Sequence, residues 1–315
     1  MKRTIIKNTI YGNVLVLVLV LLFFLFSTFQ SVSNIIYDYN MKNSMSNMPH
    51  EDIIVIQIDE QSLKENGKFP WDRNVYIPFL QQTAGAKVVA FDIMFNTDSP
   101  DPETDRLFAE ALEQHGKVIL ASSLVTETDL RKSITIKPGQ PLEAFGLNKP
   151  IPILEEEVEI GHIFRYLDND GVTRRTHLLV NSPEQPIYSL AYQVATMYGV
   201  DVSEYLDSVP NTIQMSKSPK TEQLIRYNAD GTTFLNIPFH KVDEIDPDTF
   251  TDRIVLVGIT AAGEDDGPTP VDKSMNLVYA HANIVDQLLN AQEPALASDI
   301  TILLVTVLIL LLTAA

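Results

Sequence analysis

Two lipid-compatible stretches bracket an acidic middle, and that frame limits the architectures open to this chain. Residues 10–29 are nearly pure Val, Leu and Phe between Val14 and Phe26, and residues 300–315 are again apolar as far as Ala315. A membrane-spanning helix needs about 20 such residues. The first stretch meets that length. The second reads as the start of a spanning helix that continues beyond Ala315, with a short C-terminal tail anchor as the alternative. Lys2, Arg3 and Lys7 precede the first stretch, and no acidic residue occurs before Asp38. The positive-inside rule therefore puts residues 1–9 in the cytoplasm. A cleavable signal peptide is the competing reading, with Ser31-Val32-Ser33 as a weak cleavage site. Its apolar core is ordinarily shorter, which favours an uncleaved anchor.

The expected organisation follows. A cytoplasmic N-terminus (1–9) leads into a transmembrane helix (10–29), then a juxtamembrane linker (30–49). An extracytoplasmic domain (50–295) and the beginning of a second transmembrane helix (300–315) complete the chain. A domain held between two anchors lies on one side of the bilayer and reports to the other side through them.

All 41 acidic residues lie between Asp38 and Asp299, together with 20 of the 23 basic ones, so this part carries a net charge of −21. Polyanions are repelled by such a surface. Nucleic acid is excluded as a partner, as are anionic lipid headgroups for the domain itself. The lipid bilayer is a partner only through the anchors. Solubility alone also explains the charge. The absence of cysteine excludes disulfides and thiolate metal sites. The length of the middle is ample for a large apolar core.

The β-branched run Ile53 to Ile58, ending in Asp59, reads as a buried parallel strand. Arg73 to Ala84 reads as a helix, with Gly85 as its C-cap glycine. A second strand over 87–92 ends in Asp92. An acidic loop then leads to a helix over about 103–114, closed by Gly116, and a third strand covers 117–121. Strands and helices at this spacing form a right-handed βαβαβ unit. Residues 139–152 read as a surface loop. Two strands, 161–166 and 172–180, are expected to form a hairpin across Asp168-Asn169-Asp170-Gly171. Further expectations are a helix over 188–198, strands at 211–215, 224–227 and 233–237, a buried strand over 253–258, and a helix over 279–289. The predicted fold class is α/β: a mixed, largely parallel, Rossmann-like sheet with flanking helices, set between transmembrane helices.

Several of these pieces, in this order, resemble one family. Phe69-Pro70-Trp71-Asp72-Arg73, the run from Gly85 to Phe95 and the acidic loop from Pro100 to Asp105 look like the opening of the second type of CHASE domain (cyclase/histidine-kinase-associated sensory extracellular). Asp168 to Arg175, Tyr188 to Ala191, Arg253 to Ala261, Pro268-Thr269-Pro270 and Tyr279 to Asn283 continue the likeness over about 50–295. Two departures stand out. Phe69 replaces a Trp that often precedes Pro-Trp, and Glu264-Asp265-Asp266 makes the late loop unusually acidic. The resemblance implies an extracytoplasmic sensor of a small ligand or envelope stimulus. It also implies a membrane receptor with a cytoplasmic output such as a nucleotide cyclase, diguanylate cyclase or kinase, working as a homodimer in the cell membrane.

Open α/β sheets bind ligands beyond the C-terminal ends of their parallel strands. Here those ends carry Asp59, Asp92 and Thr260, with Asp265 and Asp266 in the following loop and Arg73 at the start of a helix. These six are the candidate ligand-binding residues. They suit an amine, a polyol or, through carboxylate oxygens, a divalent cation. Asp residues at strand ends also cap the next turn or pair with an arginine. Asp168 to Gly171 begins like a calcium loop, but His177 stands where an EF-hand needs Glu. The six histidines show no metal-ligand spacing. His281, in the helix before the second apolar stretch, is either a packed core residue or a pH-sensitive group. Phosphate-loop, nucleophile-elbow and His-Glu-x-x-His motifs are absent. The sequence therefore assigns no catalytic residue, no metal ligand and no cofactor. The alternative to a sensor is a membrane-anchored, metal-dependent hydrolase that uses the Asp-rich rim.

Overall fold

The computed structural model describes residues 11–12, 14–18, 28–125, 134–135, 140–207 and 221–291. The chain forms two compact units, Met1–Asn43 with Leu296–Ala315, and Ser44–Ala295. Among the described residues no helix is long and apolar enough to cross a membrane. Most of the first apolar stretch and all of the second lie outside them, as does the strand expected at 211–215. Most of the expected juxtamembrane linker is helix α1, Thr28–Ser44.

The larger unit is built on a seven-stranded sheet. Its strands, in chain order, are β1 (Ile53–Ile58), β2 (Val88–Phe91), β3 (Val118–Leu124), β4 (Leu147–Asn148), β5 (Glu159–His162), β6 (Leu235–Pro238) and β7 (Ile254–Ile259). The parallel order is β6-β1-β7-β2-β3-β5, and β4 pairs antiparallel with β3. The late strand β7 thus inserts between β1 and β2, with Ile53 opposite Ile254 and Ile254 opposite Val88.

Both faces of the sheet are covered, which explains why β1 and β7 read as unbroken apolar runs rather than alternating ones. Ile54, Ile56, Val89, Phe91 and Leu120 pack against α2 (Glu60–Asn66), α3 (Tyr76–Gln82) and α4 (Pro102–His115). Tyr76 is the centre of that layer, with its ring centroid 5.4–5.9 Å from those of Phe91, Phe95, Phe108 and Phe239. On the other face Ile53, Val55, Val88, Ala90 and Leu256 pack against α5 (Leu190–Tyr198) and α6 (Leu277–Leu289). Gly258 lets α6 close on the sheet, because an added Cβ would lie 2.6 Å from Val278 Cβ.

Helix α6 is also held by its polar side chains. Asn283 accepts from the backbone N–H of Asn228 and Ala229 at 2.8 and 3.1 Å, and Gln287 accepts from that of Arg226 at 2.7 Å. These amides satisfy an extended segment that would otherwise be buried with open backbone groups. Asp286 accepts from the His50 backbone N–H at 2.7 Å and from Asn228 Nδ2 at 3.1 Å. Asn228 in turn accepts from Ser46 Oγ at 2.6 Å. The segment entering the domain and the helix leaving it are thereby laced to the same two side chains.

Two local expectations are corrected. Gly85 is no left-handed cap: Thr83 ends α3, and a side chain at 85 would meet Thr251 Oγ1 at 2.9 Å. Gly116, with φ +68°, does close α4 in that way. The hairpin keeps its turn, with Gly171 N–H donating to the Asp168 carbonyl at 2.8 Å, but its arms are joined by the Asp168–Val172 backbone bond and the isolated bridge Tyr166–Arg175 rather than by a ladder. The first arm became β5 in the main sheet, and Arg175–His177 pairs with Glu222–Leu224.

Candidate functional site

The turn that resembled a calcium loop already has an internal counter-ion. Arg174, one of the largest fully buried side chains, donates to Asp168 Oδ2 and to both oxygens of Asp170, each at 2.9 Å. Arg175 reaches Asp168 as well. Guanidinium groups supply the charge that a cation would bring, and they hold the Asp170 carboxyl below its usual value.

Three of the six candidate residues do other work. Asp59 caps α2, accepting from the Ser62 N–H at 2.8 Å and Ser62 Oγ at 2.6 Å, with His240 Nδ1 3.4 Å away. Arg73 is not at the rim. It is buried under the 95–99 loop, paired with Asp105 and donating to Ser99 Oγ at 3.3 Å. Its conformation begins with a 3-10 turn, Arg73–Val75, which turns the guanidinium towards α4. Asp266 accepts from Ser274 Oγ at 2.5 Å in a small hairpin, Asp266–Gly267 paired with Met275–Asn276.

Asp92 and Asp265 do come together. Asp92 follows β2, its backbone N–H held by the Val257 carbonyl at 2.8 Å. Strand alternation turns Asp92 and Thr260 to the face covered by α6. There Asp92 Oδ1 lies 3.9 Å from His281 Nε2, on the second turn of α6. Burial pushes the Asp92 carboxyl up to about 7. Burial and then the Asp92 charge push Asp265 up to about 6. Burial pushes His281 down to about 4. All three groups are driven towards their neutral forms, so Asp92 and His281 form a neutral contact rather than an ion pair.

The cluster continues inwards. His162, at the C-terminal end of β5, is pushed down to about 3 by burial and then by His281, and His177 likewise by burial and then by His162. Arg165 approaches from the loop after β5. Its guanidinium lies against Gly267, where any side chain would collide with it. Asp92 Oδ2, Thr260 Oγ1, His281 Nδ1, His162 Nε2 and Arg165 Nη1 are buried with no hydrogen-bond partner. The candidate site is this cluster of opposed carboxylates, imidazoles and a guanidinium. His162 and Arg165 were not foreseen. Their only signal in the sequence is that both stand at or just after the end of a parallel strand.

Among the described residues no three carboxylate or imidazole groups are placed to hold a metal ion. Beside the cluster, an open cleft of about 490 Å3 is lined by Gln57, Asp230, Asn236, Asp272, Ser274 and Tyr279. Tyr279 Oη accepts from Gln57 Nε2 at 2.8 Å and donates to Asn236 Oδ1 at 3.1 Å, so this wall is internally satisfied.

The CHASE2 domain family matches residues 14–315. The chain belongs to the CHASE2 family. Neither a curated protein nor a solved structure matches it. CHASE2 domains are extracellular sensory domains of signalling receptors, so a sensory role and a membrane location follow from membership. In this CHASE2 domain the buried cluster touches α6, the last described helix before the second apolar stretch, through His281.

Proposed function

We propose that this CHASE2 domain is the extracytoplasmic sensor of a cell-membrane receptor with a cytoplasmic N-terminus. It detects a small ligand or envelope stimulus at the cluster around Asp92 and His281. The receptor works as a homodimer and regulates a cytoplasmic output such as a nucleotide cyclase, a diguanylate cyclase or a kinase. The observation that carries this reading is a group of partnerless buried polar atoms to which α6, the helix that leads out of the domain, contributes His281. A guest or proton that satisfies them stabilises one position of α6 over another, and differential affinity for two states is what signalling requires.

The test uses the whole receptor in membranes. Cyclic nucleotide, cyclic dinucleotide and phosphotransfer outputs are measured for the native chain and for Asp92→Asn and His281→Gln. The expected result is that both variants fold and change the output set-point. Unaltered output in both would refute the role given to the cluster. Crosslinking in membranes that yields only monomers would refute the homodimer. The raised carboxylates Asp92 and Asp265 favour one other reading, an anchored hydrolase using these two groups with a metal. In that case Asp92→Ala abolishes turnover of a substrate, whereas a sensor consumes none.

A further inference from the structure

Within the cluster Arg165 and Asp265 attract each other, with no hydrogen bond between them. Arg165 favours the ionised form of Asp265, as their mutual attraction requires. Yet no hydrogen bond or ion pair joins Arg165 to Asp265 or Asp92 among the described residues, and Arg165 Nη1 is buried with no acceptor. A guanidinium is an obligatory donor that cannot be silenced by losing its proton. Buried polar atoms are nearly always partnered, and here five lack partners: Arg165 Nη1, Asp92 Oδ2, His281 Nδ1, His162 Nε2 and Thr260 Oγ1.

An occupant of this site has defined chemistry. It must accept from Arg165 and donate towards the two carboxylates. A simple anion would satisfy Arg165 but donate nothing to the carboxyl oxygens of Asp92 and Asp265. A simple amine would satisfy the carboxylates but face Arg165. Water or a polyol supplies hydrogen bonds without neutralising either charge. We propose that this site binds a free α-amino acid as its zwitterion, the carboxylate on Arg165 and the ammonium between Asp92 and Asp265. The imidazoles of His281 and His162 and the Thr260 hydroxyl complete the shell, each able to donate or accept. Gly267 is a positioning residue, since a side chain there would displace the guanidinium. The proposal deepens the sensory reading and rests on it for its physiological meaning, whereas binding itself is independent of any output.

The experiment is calorimetric titration of the full-length chain in nanodiscs with each member of the proteinogenic amino-acid set. Acetate, methylamine and glycerol serve as single-function controls. At least one zwitterion is expected to bind, and none of the controls. Arg165→Gln and Gly267→Ala should each weaken binding at least about tenfold, the loss expected for one charge-assisted contact. Arg165→Lys, which keeps the charge and loses the paired donors, should fall between them and the native chain. Asp272→Asn, in the neighbouring cleft, should leave affinity unchanged. Circular dichroism establishes that each variant is folded. Three results would overturn the proposal: no zwitterion binds the folded native chain, acetate or methylamine binds as well, or binding survives Arg165→Gln while Asp272→Asn abolishes it. A receptor whose output answers another stimulus, with no amino acid bound, sinks this proposal and leaves the sensory function standing.

Discussion

Replacing Asp92 by asparagine should stabilise this protein, and increasingly so as pH rises. The carboxyl sits at the end of β2, 7% exposed, with Oδ2 unpartnered. Burial raises it from 3.8 to about 7. The folded state therefore binds the Asp92 proton more tightly than the unfolded chain does. The resulting stability is complete below about pH 4 and is lost progressively as pH climbs through about 7. Each pH unit in that interval corresponds to about 1.4 kcal/mol, so the ionised group costs the fold up to about 4 kcal/mol. This figure is a ceiling, because Asp265 shares the same proton-binding neighbourhood. Asparagine is nearly isosteric with the protonated acid and cannot ionise. The two proteins should be equally stable near pH 3, and Asp92→Asn should be the more stable by a few kcal/mol near pH 8.5. Denaturant titrations of the whole chain in detergent measure this directly. Trp71, the sole tryptophan and 6% exposed, provides the fluorescence signal. A difference that stays constant with pH, or a variant that is less stable at alkaline pH, would show that Asp92 is ionised and partnered in the native state, and the reasoning would fail.

Three smaller tests probe other parts of the argument. His177→Phe removes a buried imidazole whose two nitrogens are unpartnered and whose pKa lies at about 3. The native stability from that histidine is present above about pH 6.5 and lost as pH falls, so the variant should resist acid better, read as the denaturant midpoint between pH 7 and pH 4. Arg174→Met strands Asp168 and Asp170, and should cost about 3 kcal/mol, the low end for a broken buried pair because Arg175 remains. Adding Asp168→Asn and Asp170→Asn should recover part of it in the same titration. Asp59→Ala removes the cap of α2 and should cost about 1 kcal/mol without altering receptor output, which separates a structural strand-end aspartate from Asp92.

The parts of this fold that declare themselves in the sequence are those fixed by local chemistry. Strands β1, β2 and β7 are visible because burial on both faces demands unbroken apolar runs. Helix α4 is visible because Asp101 caps it, Pro102 opens it and Gly116 closes it. Partner choice is a long-range matter and was less legible. Residues 159–166 carry no mark that sends them to β3 rather than to their neighbour across the Asp168 turn. The site divides along the same line. The rule for strand ends in parallel sheets found Asp92 and Thr260. It also picked Asp59, whose carboxylate the next helix consumes, and nothing in a linear reading says which aspartate will be spent on a cap. Arg165 and His162 escaped notice because their meaning depends on Gly267 and His281, more than 100 residues away along the chain.

The lacing of residues 46–50 to α6 through Asn228 and Asp286 constrains the mechanics of signalling. A piston stroke, with the outgoing helix sliding past the incoming segment, would break the contacts of Asp286 with His50 and Asn228 together. Residues 46–50 and α6 therefore move as one body. A swing or twist of one carries the other with it. Spin labels on residues 46–50 and on α6 of one chain should therefore keep a fixed separation while the sensor changes state.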